Sequence, residues 1–104
     1  MKTLDIFIAN MYWHGGKKIR PVLVLLLGDE HVSVYQITTQ YESKSASIQA
    51  YYFRINDWAA AGLDRPSYVD TGTLIKLPLS TINNKTPIGT LTASDKERLR
   101  AFLS

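Results

Sequence analysis

Pro21-Val22-Leu23-Val24-Leu25-Leu26-Leu27, closed by Gly28-Asp29-Glu30, is the stretch whose reading decides the fold. Seven consecutive residues without a polar side chain read as a strand covered on both faces, and therefore as a central one. The run is far shorter than the roughly 18 apolar residues that cross a bilayer, so it is no membrane span. Gly28 to His31 offers a short hairpin connection. Beyond it, Val32-Ser33-Val34-Tyr35-Gln36-Ile37-Thr38-Thr39-Gln40-Tyr41 is rich in β-branched and aromatic residues and predicts a long third strand.

Upstream, Leu4, Ile6 and Ile8 alternate with Asp5, Phe7 and Ala9, the period of a first strand. Asn10 to Lys18 breaks that pattern with Gly15-Gly16, aromatics and cations, and predicts an exposed loop. Downstream, Glu42 to Ser47 reads as a polar loop and Ile48 to Ile55 as a fourth strand with Tyr51, Phe53 and Ile55 on one side. Asn56-Asp57 can cap one helical turn over Trp58 to Ala61, which Gly62 stops in the left-handed conformation. Ser67 to Leu77 predicts a fifth strand interrupted at Gly72, Asn83-Asn84-Lys85 a turn, and Pro87 to Leu91 a last short strand. At the C-terminus, Ser94 with Glu97 reads as a capping box, Asp95 favours the positive helix end, and Leu99, Phe102 and Leu103 form an apolar stripe. Six short strands and one terminal helix predict a mainly β domain, a small, strongly bent antiparallel barrel with the helix packed on it.

The 104 residues suit one domain, 1–104, and 45% hydrophobic with 20% charged residues exclude wholesale disorder. The absence of cysteine removes disulfides, thiolate catalysis and cysteine-held metals together. His14 and His31 share no ligand spacing, so a metal site is not expected. Met1 to Asp5 lacks the layout of a secretory signal, which predicts a cytoplasmic protein. A net charge of +3 suits nucleic acid but also many neutral partners. Tyr12, Trp13, Tyr35, Tyr41, Tyr51, Tyr52, Phe53, Trp58, Tyr68 and Phe102 are more large rings than so small an interior hides, so some must lie at a surface.

Three features carry candidate chemistry. Lys17-Lys18-Ile19-Arg20 beside Tyr12-Trp13-His14 combines cations for phosphates with rings for unpaired bases, although a solvated basic loop reads the same way. Arg20, fixed before Pro21, presents a guanidinium that can fork onto a phosphate, although a surface ion pair is the commoner fate of an arginine. Thr38-Thr39-Gln40, with Lys44 beyond, places hydroxyls at a strand end, although threonine is also an ordinary strand residue.

The ordered set of segments resembles the PemK/MazF family of toxins from type II toxin-antitoxin systems. The resemblance is carried by Leu4-Asp5-Ile6-Phe7-Ile8-Ala9, the Gly-rich basic loop and Arg20-Pro21-Val22-Leu23-Val24-Leu25. It continues through Ile37-Thr38-Thr39-Gln40, Arg65-Pro66-Ser67-Tyr68-Val69-Asp70 and Pro87-Ile88-Gly89-Thr90-Leu91-Thr92. It implies an SH3-like barrel, a homodimer, neutralisation by a cognate antitoxin, and cofactor-free, metal-independent cleavage of single-stranded mRNA through a 2′,3′-cyclic phosphate. It assigns catalysis to Arg20 and Thr38. Lys17, Lys18, Trp13, His14, Thr39, Gln40 and Lys44 are then the expected RNA contacts, and Asp70 and Lys76 of the fifth strand the supporting residues. Two other readings stay open on the sequence: a CcdB-type barrel that poisons DNA gyrase, and an RNA-binding barrel with little catalytic power.

Overall fold

The apolar run becomes the middle of the molecule. The computed structural model describes residues 1–13, of which Trp13 in its backbone only, together with 15–82 and 85–104. Expectations for the Trp13 side chain, His14 and Asn83-Asn84 lie outside the described residues. The described residues form six strands: β1 (Asp5–Trp13), β2 (Gly16–Leu27), β3 (His31–Thr38), β4 (Tyr52–Arg54), β5 (Tyr68–Pro78) and β6 (Gly89–Thr90). A single helical turn, α1 (Ala46–Gln49), precedes β4, and the terminal helix is α2 (Ala93–Leu103). All pairings are antiparallel in the order β4-β5-β3-β2-β1-β6, and the sheet curls into a half-barrel.

Because β2 and β3 lie mid-sheet, each buries both faces. On one side Ile6, Leu23, Tyr35, Ile37, Phe53, Val69 and Leu91 pack with Leu99 of α2. On the other, Phe7, Ala9, Val22, Val24, Val32 and Val34 pack with Ile82, which follows a 3-10 turn at Leu79–Thr81. Only the last two residues of the run, Leu26 and Leu27, are exposed, where the strand leaves the cover of both cores.

Four expectations need correction. Asn10 to Lys18 is not a loop: β1 runs on to Trp13 and β2 starts at Gly16, so Met11 pairs with Lys18 and Tyr12 with Lys17 on a hairpin. The third strand stops at Thr38, whose hydroxyl accepts from the Gln40 N–H at 3.0 Å and turns the chain out of the ladder. Ile48 to Ile55 is only half strand, because Ser45 caps the turn α1 and leaves β4 to Tyr52–Arg54. The cap of α2 is Thr92 rather than Ser94; its hydroxyl accepts from the Asp95 N–H at 3.3 Å. Along the helix, Leu99 is buried, Phe102 meets Phe53 edge-on at 5.5 Å and is otherwise exposed, and Leu103 is exposed.

The turn at Trp58 to Ala61 forms as expected. Gly62 adopts φ +95°, and the N–H groups of Gly62 and Leu63 donate to the carbonyls of Ala59 and Trp58, the Schellman arrangement that closes a helical end. Its backbone lies against Gly89, where an added Cβ would collide with the Ala61 carbonyl oxygen.

Asp95 locks α2 to this turn. Its carboxylate is fully buried and accepts from the Asn56 N–H at 3.3 Å, the Asp57 N–H at 2.8 Å and the Arg98 guanidinium at 2.7 Å. Arg98 also lies 4.7 Å above the Phe53 ring and donates to the Arg54 carbonyl, so one cation ties helix, ring and strand end together. Asp95→Ala takes the buried acceptor away from two backbone amides and a guanidinium and is expected to cost about 2 kcal/mol of stability, against about 1 kcal/mol for Thr92→Ala. Urea denaturation measures both, and equal losses would contradict the central place of Asp95.

Candidate active site

The β2–β3 register builds the site. Val22 pairs with Gln36, so Arg20 and Thr38, each two residues further along, face each other just past the last paired residues. On β3, Val32, Val34, Gln36 and Thr38 share one side, and the change from valine to glutamine marks where the hydrophobic core gives way to a polar hollow. Gln36 in turn pairs with Asp70 of β5, and Asp70 with Tyr52 of β4. Residues directly opposite across a sheet point to the same face. Arg20, Gln36, Thr38, Asp70 and Tyr52 therefore converge, and with Gln40 and Lys44 they line a cavity of about 210 Å³.

The convergence requires a distortion of β5. Between Val34 and Gln36 the partner on β5 jumps from Ile75 to Asp70, so four residues, Thr71 to Leu74, bulge out of the ladder. The bulge is pinned: the Thr71 N–H and hydroxyl both donate to the Tyr51 carbonyl, at 3.0 and 2.6 Å, and the Gly72 N–H donates to Asp70 Oδ1 at 2.9 Å. That last bond holds the Asp70 carboxylate on the cavity's edge.

Two larger hollows open from this centre. One, of about 660 Å³, is lined by Lys18, Ile19, Arg20, Pro21, Thr38, Thr39, Gln40, Lys44 and the segment Leu63 to Arg65 with Ser67. The other, of about 710 Å³, takes in Tyr12, Lys18, Arg20, Gln36 and Lys76. Arg20, half-buried, is common to all three. Of the residues singled out in the sequence, Arg20, Thr38, Thr39, Gln40, Lys44, Lys18, Asp70 and Lys76 thus meet around one groove. Lys17 does not: it alternates with Lys18 and Arg20 and projects from the opposite side of β2.

The sequence reading missed Gln36, Tyr52 and an aromatic border. Tyr41 stacks on Tyr68 with centroids 4.4 Å apart and planes 11° from parallel, and its ring lies 6.3 Å from that of Tyr52. The signal for Gln36 was present, since it interrupts an inward-facing valine series. Tyr52 carried none, because its place depends on the β4–β5 register.

With this geometry in view, comparison with solved structures is informative. The Mycobacterium tuberculosis toxin MazF-mt6 is similar over 95% of this chain and 91% of its own, at TM-score 0.72 and 27% identity. The fold is that of the MazF/PemK-type toxins. A second structure, described as an Mtb toxin, is similar at TM-score 0.63 and 27% identity over 81% of this chain and 88% of its own. No protein-family model matches the chain, and no curated protein sequence does. In this MazF-like fold the polar hollow lies at the end of the two central strands. Among the described residues no helix is long and apolar enough to cross a membrane.

Partial burial pushes the Tyr52 phenol above its ordinary value near 10; the Asp70 carboxylate adds to the rise and the Arg20 guanidinium opposes it. Asp70→Asn is therefore expected to lower this pKa and Arg20→Ala to raise it, read by NMR titration of ring-labelled tyrosine. Below pH 10 the folded and unfolded chains both keep the proton, and it makes no difference to stability. As pH rises through 10 the unfolded chain releases it first, so stability falls. A Tyr52 pKa that rises in Asp70→Asn, or falls in Arg20→Ala, would contradict the cluster.

Proposed function

We propose that the chain is the toxin of a toxin-antitoxin pair and acts as a metal-independent endoribonuclease on single-stranded RNA, cutting mRNA and so blocking translation. The observation that carries this reading is the opposition of Arg20 and Thr38 across β2 and β3, at the head of a polar groove, in a fold shared with MazF-type toxins. The two alternatives raised by the sequence, a gyrase poison and a binding-only barrel, are not favoured by that similarity.

The chemistry follows from the donors. The ribose 2′-hydroxyl attacks the adjacent phosphorus, its oxygen–phosphorus bond forms, and the bond to the 5′-oxygen breaks. Charge accumulates on the non-bridging oxygens as the phosphorane forms. Arg20 offers a fixed fork of N–H donors for that charge, and half-burial strengthens each bond relative to water. The Thr38 oxygen accepts from the Gln40 N–H, and its own proton can still be donated to a phosphate oxygen. Asp70, held on the rim by Gly72, is the carboxylate placed to take the 2′-hydroxyl proton. Lys18, Lys44, Thr39 and Gln40 line the path of the flanking backbone.

Assembly belongs to the same proposal. The hairpin exposes Tyr12 and Ile19, at 73% and 67% of their surfaces, beside the cations. A second copy packed there would form a homodimer with RNA along the seam, and an acidic, apolar antitoxin segment would compete for that strip.

Incubation of the purified protein with single-stranded RNA in EDTA is expected to yield 2′,3′-cyclic phosphate and 5′-hydroxyl ends; intact RNA would overturn the reading. Arg20→Ala is expected to lower turnover at least about 10²-fold with the fold retained, and Arg20→Lys to recover little, because an ammonium cannot fork. Thr38→Val should reduce kcat more than it weakens RNA binding, while Thr39→Val, on the exposed neighbour, changes less. The reverse order for the two threonines would place the reacting phosphate on the other side of β3.

A further inference from the structure

Cleavage of this kind needs a proton delivered as well as one removed, because the 5′-oxygen leaves as an alkoxide unless it is protonated in the same step. The cavity's lining restricts which group can supply it. A guanidinium serves as a hydrogen-bond donor rather than as an acid, which sets Arg20 aside, and Gln36 and Gln40 carry amides that do not act as acids. Thr38 is an alcohol no more acidic than the leaving group itself. Lys44 is exposed on the loop after β3. Asp70 is taken by the opposite task. His31 lies at the other end of β3, seven residues and therefore roughly 23 Å from Thr38 at about 3.3 Å per residue. Of the side chains that line the cavity shared by Arg20 and Thr38, this leaves Tyr52, half-buried and aligned with Asp70 by the β4–β5 register.

Resting on the nuclease reading above, we propose that Tyr52 is the proton donor to the leaving 5′-oxygen, paired across the β4–β5 ladder with Asp70 as the acceptor of the 2′-hydroxyl proton. The proton count closes. Asp70 takes one proton from the 2′-oxygen as its bond to phosphorus forms; Tyr52 gives one to the 5′-oxygen as that bond breaks. The pair is left as carboxylic acid and phenolate, and transfer of the proton from Asp70 to Tyr52 restores both.

The surroundings of Tyr52 suit this role. The phenol stays protonated throughout the neutral range, since burial and Asp70 both hold its proton on. Arg20 acts in the other sense and stabilises the phenolate while it exists. The ring is held independently of substrate: β4 is paired to β5, the Tyr41 ring lies alongside, and Asp95 fixes Asn56 and Asp57 just beyond the strand. A donor on a rigid element loses little precision when the substrate changes.

The decisive experiment uses two RNA oligonucleotides of one sequence, one normal and one with a sulfur in place of the bridging 5′-oxygen at the cleaved position. A thiolate leaves without being protonated. Tyr52→Phe keeps the ring and removes only the hydroxyl; its melting temperature and KM are expected to match those of the unaltered protein. On normal RNA its kcat is expected to fall about 10²-fold or more. On the sulfur substrate it should cleave within about threefold of the unaltered protein, whereas Arg20→Ala should be slow on both. Equal losses of Tyr52→Phe on both substrates would overturn the assignment, as would full activity on normal RNA. Failure of the unaltered protein to cut either oligonucleotide would instead remove the nuclease reading, and the proton donor with it.

Discussion

The pairing of Val22 with Gln36 is the constraint on which the rest of the molecule depends. On one side of that pair the two central strands present valines to each other and to Phe7 and Ala9, and on the other they present Arg20 and Thr38. Hydrophobic burial sets the register, because a slip of one residue would turn Val22, Val24, Val32 and Val34 away from their core. Stability and the candidate chemistry are thus specified by the same alignment. A cation and a hydroxyl drawn from separate segments meet because the apolar residues beside them have a single acceptable match.

The outer strands adapt to that centre. β5 must pair with β3 at both ends yet pass a polar hollow midway, and it does so by releasing Thr71 to Leu74 into a pinned bulge. β4 has only three residues, all of them paired to β5. Its far end is secured as well by the buried Asp95, which belongs to a helix on the other side of the sheet yet grips the backbone of Asn56 and Asp57 just beyond the strand. The hollow therefore has one rigid wall, made by β2 and β3, and one held in part from a distance by a carboxylate.

How far the sequence revealed this depended on whether a feature is local. The run Pro21 to Leu27 reads as a central strand because consecutive apolar residues call for cover on both faces, which Val22, Leu23 and Val24 receive in full, and Gly62 declares its left-handed turn in isolation. Thr92 and Ser94 have the same capping chemistry two residues apart, and only the contact of Asp95 with Asn56 and Asp57 selects between them. Ile48 to Ile55 satisfies a strand's alternation, but Ser45 starts a helical turn before the alternation can act. The hairpin from Asn10 to Lys18 looked like a loop because its polar and aromatic residues serve a surface. Arg20 and Thr38 were legible through resemblance to a family; Tyr52 and Gln36 were not, since cross-strand pairing alone brings them to the cavity.

The pairing of β1 with β6 imposes an order on folding. β1 finds β2 locally through a hairpin, but its other edge waits for Gly89 and Thr90, more than eighty residues further along the chain. The same distant segment supplies the N–H of Leu91 and the hydroxyl of Thr90 to the Leu4 carbonyl, at 3.2 and 3.0 Å, and so secures Leu4 at φ 70°, a conformation that leucine otherwise avoids. Such long-range closure is entropically costly and slow relative to hairpin formation. During synthesis the two central strands can associate early, while the first strand stays open along one edge until residue 90 has cleared the ribosome. Arg20 and Thr38 lie on the strands that can pair first, Tyr52 and Asp70 on strands that follow, and the segment that closes the sheet comes after all of them, so the polar hollow is completed in stages along the chain.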